Sequence, residues 1–140
     1  MEKMIFVNLP VRDLTAATKF YEALGGTRNP GFSDEQTSCM IFSGAIGVML
    51  LTHERYATFT SRPIGDARTE SQTLIALSVE TRDEVDQTVE KATHAGGKAD
   101  PNPMQDHGFM YSRSVEDPDG YVWEILWMDQ AAAAGGPPGE

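Results

Sequence analysis

Cysteine is nearly missing from this 140-residue sequence; Cys39 stands alone, so no internal disulfide can staple the fold. Its setting, Ser38-Cys39-Met40-Ile41-Phe42, is apolar, which suits a buried, inert thiol better than a nucleophile. Basic residues are also scarce: 11 Lys and Arg face 21 Asp and Glu, giving a net charge of −10. A phosphate backbone is held by Lys and Arg, so nucleic acid is excluded as a partner, and an anionic membrane surface with it. The deficit leaves room for a cationic or neutral ligand, and it also keeps a protein soluble. Long hydrophobic runs are lacking too. The longest mostly apolar stretch, Ile41 to Leu51, is broken by Ser43 and Gly44 and is too short to span a bilayer. With no basic, apolar leader at the start of the sequence, the expected location is cytoplasmic. GxSxG, P-loop, CxxC and HExxH patterns are absent, and the Gly-Gly pairs follow helices instead of opening them, so they do not cradle phosphate.

What is present is an ordinary globular mixture, 40% apolar and 23% charged, of a length that suits one domain. Ile5 to Val11 alternates as a strand. Asp13 caps a helix whose apolar positions include Leu14, Ala17, Tyr21 and Leu24, and Gly25-Gly26 ends it. Strands are predicted over 27–32, 37–42 and 46–52, with Ser43-Gly44 as a turn. The second half repeats the plan. A strand is predicted over 73–80, and Thr81 to Glu84 has capping-box spacing. A helix follows with Val85, Val89 and Ala92 as its buried stripe, closed by Gly96-Gly97. Three more strands are predicted over 98–103, 109–115 and 121–128, the last two joined by Asp117-Pro118-Asp119-Gly120. The reading is an internally duplicated α+β domain over residues 1–130, made of two βαβββ modules at about 1–60 and 73–128. Arg62 to Gln72 is the polar connector, and Ala131 to Glu140 is expected to be a frayed tail.

Two motifs carry a family resemblance. The run Phe6-Val7-Asn8-Leu9-Pro10-Val11-Arg12-Asp13-Leu14 with Phe20-Tyr21-Glu22-Ala23-Leu24-Gly25, and the ending Asp117 to Glu124, resemble the vicinal oxygen chelate superfamily. That group includes glyoxalases, extradiol dioxygenases, methylmalonyl-CoA epimerases and bleomycin-resistance proteins. The resemblance implies paired βαβββ modules that form a cup-shaped mixed sheet, commonly completed in a homodimer. In metal-using members it also implies four side chains holding a divalent ion. Carried onto this sequence, the four positions are Phe6, Leu50, Leu74 and Glu124, of which only Glu124 can ligate. The expectation is therefore a small-molecule binder with an apolar cup and no metal cofactor. The alternative is a lyase, isomerase or dioxygenase of the same superfamily, with a site rebuilt around Glu124.

Candidate site residues follow from position. Glu124 shares a strand face with Val122, Leu126 and Met128. It is either a ligand contact or general base, or half of an ion pair with Arg113. A two-residue turn sets Arg113 opposite Glu124, whereas a three-residue turn with a bulge sets Ser114 there. Asn8 lies on the face of Phe6 and either orients a polar ligand or bonds nearby backbone. His107 is a loop residue or a rim acid–base group ahead of the strand that carries Tyr111, and Tyr111 and Arg113 are further candidate ligand-binding residues. Met40, Met49, Met104, Met110 and Met128 serve as soft filler for core or cup.

Overall fold

The computed structural model describes residues 1–131, so all of the expected tail but Ala131 lies outside the described residues. The first module contains β1 (Ile5–Val11), α1 (Leu14–Ala23), β2 (Thr27–Arg28), β3 (Thr37–Ser43), β4 (Ile46–Thr52) and the short α2 (His53–Tyr56). The second contains β5 (Ile75–Ser78), α3 (Arg82–His94), β6 (Lys98–Ala99), β7 (Gln105–Asp106), β8 (Met110–Glu116) and β9 (Val122–Met128). Each module makes its own sheet, ordered β1-β4-β3-β2 and β5-β9-β8-β6, with β7 also on β8. In both, the first strand lies parallel to the last and the other pairs are antiparallel. The duplication read from the sequence is thus repeated in topology.

The helices start as their caps dictate. The Asp13 carboxylate accepts the Ala16 N–H at 3.0 Å, and the Thr81 hydroxyl accepts the Glu84 N–H at 3.1 Å. The buried stripes are Ala17, Phe20, Tyr21 and Leu24 on α1 with its cap, and Val85, Val89 and Ala92 on α3. Three strands are shorter than expected, and the one expected over 73–80 spans only Ile75–Ser78. Residues 27–32 give only Thr27–Arg28, because Pro30 has no N–H to donate and opens a 3-10 turn over Pro30–Phe32. Residues 98–103 give only Lys98–Ala99, since Pro101 and Pro103 break the ladder before β7.

The two longer helices, α1 and α3, sit in one core cluster, with side chains from both sheets. The Tyr21 ring is edge-on to Trp123, with centroids 5.6 Å apart, and the Phe42 ring stacks on Trp123 at 6.2 Å. Phe42 comes from β3 at a bulge, where the register jumps between Ile41 and Ser43. These cross-module contacts set the two sheets with their helix faces toward each other. Their other faces, the cup faces, turn away from the shared core. Burying side chains as large as Trp123, Tyr21 and Phe20 stabilises the fold by roughly 1.5–3 kcal/mol each, so the modules hold together through this back-to-back seam.

Candidate functional site

Strand alternation and burial decide which residues can meet a ligand. On β1, Val7, Leu9 and Val11 belong to the core, which puts Phe6, Asn8 and Pro10 on the cup face. Their register partners on β4 are Gly47, Met49 and Leu51. Phe6 is 48% exposed, and its ring lies over Gly47, where a Cβ would come within 2.7 Å of it. In the second sheet Trp123 and Ile125 are core residues, so Val122, Glu124, Leu126 and Met128 form the cup face. Ser114 and Ser112 on β8, and Ala76 and Ser78 on β5, flank Glu124 and Leu126 in register. Leu74, just before β5, is 54% exposed.

Three sequence-level placements need correction. Leu50 is not on the cup face; it is fully buried in the core, and its neighbours Met49 and Leu51 take the cup side of β4. Tyr111 and Arg113 are not ligand-facing either. Tyr111 belongs to the core cluster, and its hydroxyl donates to Asp86 on α3 at 2.7 Å. Arg113 donates to Asp86 at 3.0 Å and forms a two-bond fork with Asp100 at 3.0 and 2.8 Å. Those bonds raise the guanidinium pKa further above its ordinary value, led by the bond to Asp100. Arg113 is a tie between β8 and α3, consumed by structure.

The same register decides the status of Glu124. The loop Pro118–Gly120 is a three-residue turn: Asp117 N–H donates to the Tyr121 carbonyl at 2.8 Å, and Ser114, not Arg113, stands opposite Glu124. The ion-pair reading therefore fails, and Glu124 is a half-buried carboxylate on the cup face with no ion-pair partner among the described residues. The other carboxylate on this face, Glu116, is at the margin in register with Lys98. His107 is exposed at the tip of the β7–β8 hairpin, its Nε2 3.4 Å from Gln105 Oε1 and its ring 6.2 Å from Phe109. Asn8 is on the first sheet and Glu124 and His107 on the second, and the pocket that Asn8 shares with Val122 is lined by neither Glu124 nor His107.

Sequence reasoning did not single out a concavity of about 320 Å³ between the connector, β1 and the start of β9. Asn8, Tyr56, Arg62, Glu70, Gln72 and Tyr121 are among its walls. The connector is pinned over it by a charge network. The Arg68 guanidinium forks onto Asp66 at 3.0 and 3.1 Å, and Arg12 bridges Asp66 at 3.4 Å and Asp119 at 3.2 Å. The hydrogen bonds from Arg68 hold Asp66 at about 2, well below the usual carboxylate range. Gly120, at φ 100°, lets the connector approach: a Cβ there would lie 2.5 Å from the Arg68 nitrogen. Burial, with Asp117 nearby, lifts the Tyr121 phenol to about 12, so it stays a protonated donor.

This duplicated βαβββ architecture with open cup faces is a family fold. The family model for the Glyoxalase/Bleomycin resistance protein/Dioxygenase superfamily matches residues 3–125, and the chain belongs to that superfamily. A hypothetical protein SA1046 from S. aureus is 28% identical, with a TM-score of 0.74 over 91% of this chain and 94% of that one. A glyoxalase-related enzyme from Fulvimarina pelagi gives 22% identity and a TM-score of 0.74, covering 91% and 88%. Fosfomycin resistance protein FosX from Mesorhizobium loti gives 18% and 0.66, covering 96% and 98%. No curated protein matches the chain.

Proposed function

We propose that this protein binds a small organic molecule on its apolar cup faces without the divalent ion of metal-using members of the superfamily, and that it works as a homodimer. One observation carries the reading: Phe6 and Leu74, at two of the positions where the family resemblance implies metal ligands, are half-exposed apolar side chains on the cup side. Carbon cannot replace the imidazole or carboxylate a divalent ion needs, and the buried Leu50 is no better. The donor set does not fit the metal. Apolar walls with a few polar groups are instead what small-molecule sites offer. Phe6, Met49, Leu126 and Met128 provide the walls, and Glu124 receives a donor group of the ligand.

Glu124 also supports a second reading, in which it acts as a general base in a rebuilt active site. An unpaired carboxylate on an apolar face is the group that reading needs. Metal analysis of protein purified without chelator tests the main proposal. The expected content is far below one ion per chain; near-stoichiometric Zn, Ni, Fe or Mn, lost on mutating Glu124, overturns it.

A further inference from the structure

The connector pocket holds two charges that the chain leaves unused. Asp66, the remaining charged group on its wall, is taken up by Arg68 and Arg12. Arg62 and Glu70 enter no ion pair and no side-chain hydrogen bond among the described residues, although both line the same cavity. They are opposite in sign and not within pairing distance of each other. Both are exposed at the pocket's rim, and the same lining carries the amides of Asn8 and Gln72 and the phenols of Tyr56 and Tyr121, also without side-chain hydrogen bonds among the described residues. Pro10, Ile64 and Val122 give the cavity an apolar wall. Its size, about 320 Å³, is at the lower end of the roughly 300–1,000 Å³ of small-molecule sites.

We infer that this pocket is a binding site for a small zwitterion of amino-acid type, its carboxylate on Arg62, its ammonium on Glu70 and its apolar group against Ile64 and Val122. The carboxylate meets a fork of donors and the ammonium an acceptor-only group, so each end is matched in charge and in hydrogen bonding. A net-neutral ligand also meets little long-range repulsion from a protein of charge −10. The Gly120 contact and the Arg12–Asp66–Arg68–Asp119 network hold the connector in place before the ligand arrives, which lowers the ordering cost of binding. The pocket is formed within one chain and shares Asn8, Pro10 and Val122 with the cup faces, while both of its unused charges come from the connector.

Three probes sharing one apolar body separate the charges: L-phenylalanine, 3-phenylpropanoate and 2-phenylethylamine, titrated into the full-length protein by calorimetry and amide NMR. L-Phenylalanine should bind at least about tenfold tighter than either singly charged probe, the difference expected when a matched charge is lost. Arg62→Ala should remove that advantage and leave 2-phenylethylamine unchanged; Glu70→Gln should remove it and leave 3-phenylpropanoate unchanged. Shifts should concentrate at Tyr56, Ile64 and Gln72. Equal affinity for the three probes, no binding, or variants within twofold of wild type overturns the inference. So do shifts confined to Leu126 and Met128, an outcome that would leave the cup proposal standing.

Discussion

At the residue scale the least ordinary group is Asp117. It is 2% exposed and faces no cation, because Arg12 turns to Asp119. Tyr21 Oη donates to it at 2.6 Å and itself accepts the Trp123 Nε1–H at 2.9 Å, which ties α1 to β9 across the seam. The N–H groups of Asp119 and Tyr121 donate to its other oxygen at 2.9 and 2.8 Å. Burial raises its pKa and these hydrogen bonds lower it; burial wins, and the value moves from 3.8 to about 6. The folded state therefore favours the protonated acid. The stability linked to this proton is full below about pH 4 and is lost as pH rises through about 6. Urea unfolding of wild type and Asp117→Asn from pH 4 to 7 should show it. The wild type should lose stability relative to the variant as pH rises across that window; parallel profiles would mean that the hydrogen bonds, not burial, set the pKa.

At the element scale, the order of strands and helices was legible because alternation, caps and Gly-Gly stops are local signals. Which face of a strand meets the core was not. β4 is apolar on both sides, with Val48 and Leu50 on one and Met49 and Leu51 on the other, so alternation alone could not assign Leu50. β8 misled in the opposite way: Arg113 looks like a ligand clamp until α3 supplies Asp86 and the loop after β6 supplies Asp100. Asn8 and Glu124 were legible as polar residues interrupting apolar faces, whereas the connector, with no periodicity, gave no sign of enclosing a pocket. Its placement depends on Gly120. Substituting Gly120→Ala puts a methyl against Arg68 at a positive φ and should destabilise the protein by about 1–3 kcal/mol, with faster amide exchange at Ala67 and Arg68. Gly44→Ala, where nothing lies within 4 Å of a Cβ, is the control and should be near neutral. Equal effects of the two would show that the connector does not rest on Gly120.

At the scale of the whole molecule, the duplication makes two cup faces, which meet at the connector pocket through Asn8, Pro10 and Val122. Phe6 and Leu74 are about half exposed, and Val122, Leu126 and Met128 are only partly covered. An apolar sheet face of this kind needs a partner layer, and in the proposed homodimer that layer is the other module's cup face on a second copy. Two chains related by a two-fold axis would then form two equivalent cups, each bringing Phe6 and Asn8 of one chain over Glu124 of the other. The proposed homodimer rests on that geometry together with the commonness of such symmetry. Sedimentation or light scattering at micromolar concentration should give twice the 15.3 kDa chain mass. Leu126→Asp tests the face itself. Leu126 lies outside the core cluster, so the variant should keep its fold and its Trp123 environment while dissociating to monomers, because two buried carboxylates would face an apolar layer without cations. A wild-type monomer mass would overturn the assembly; a dimer untouched by Leu126→Asp would move the interface away from the cup faces.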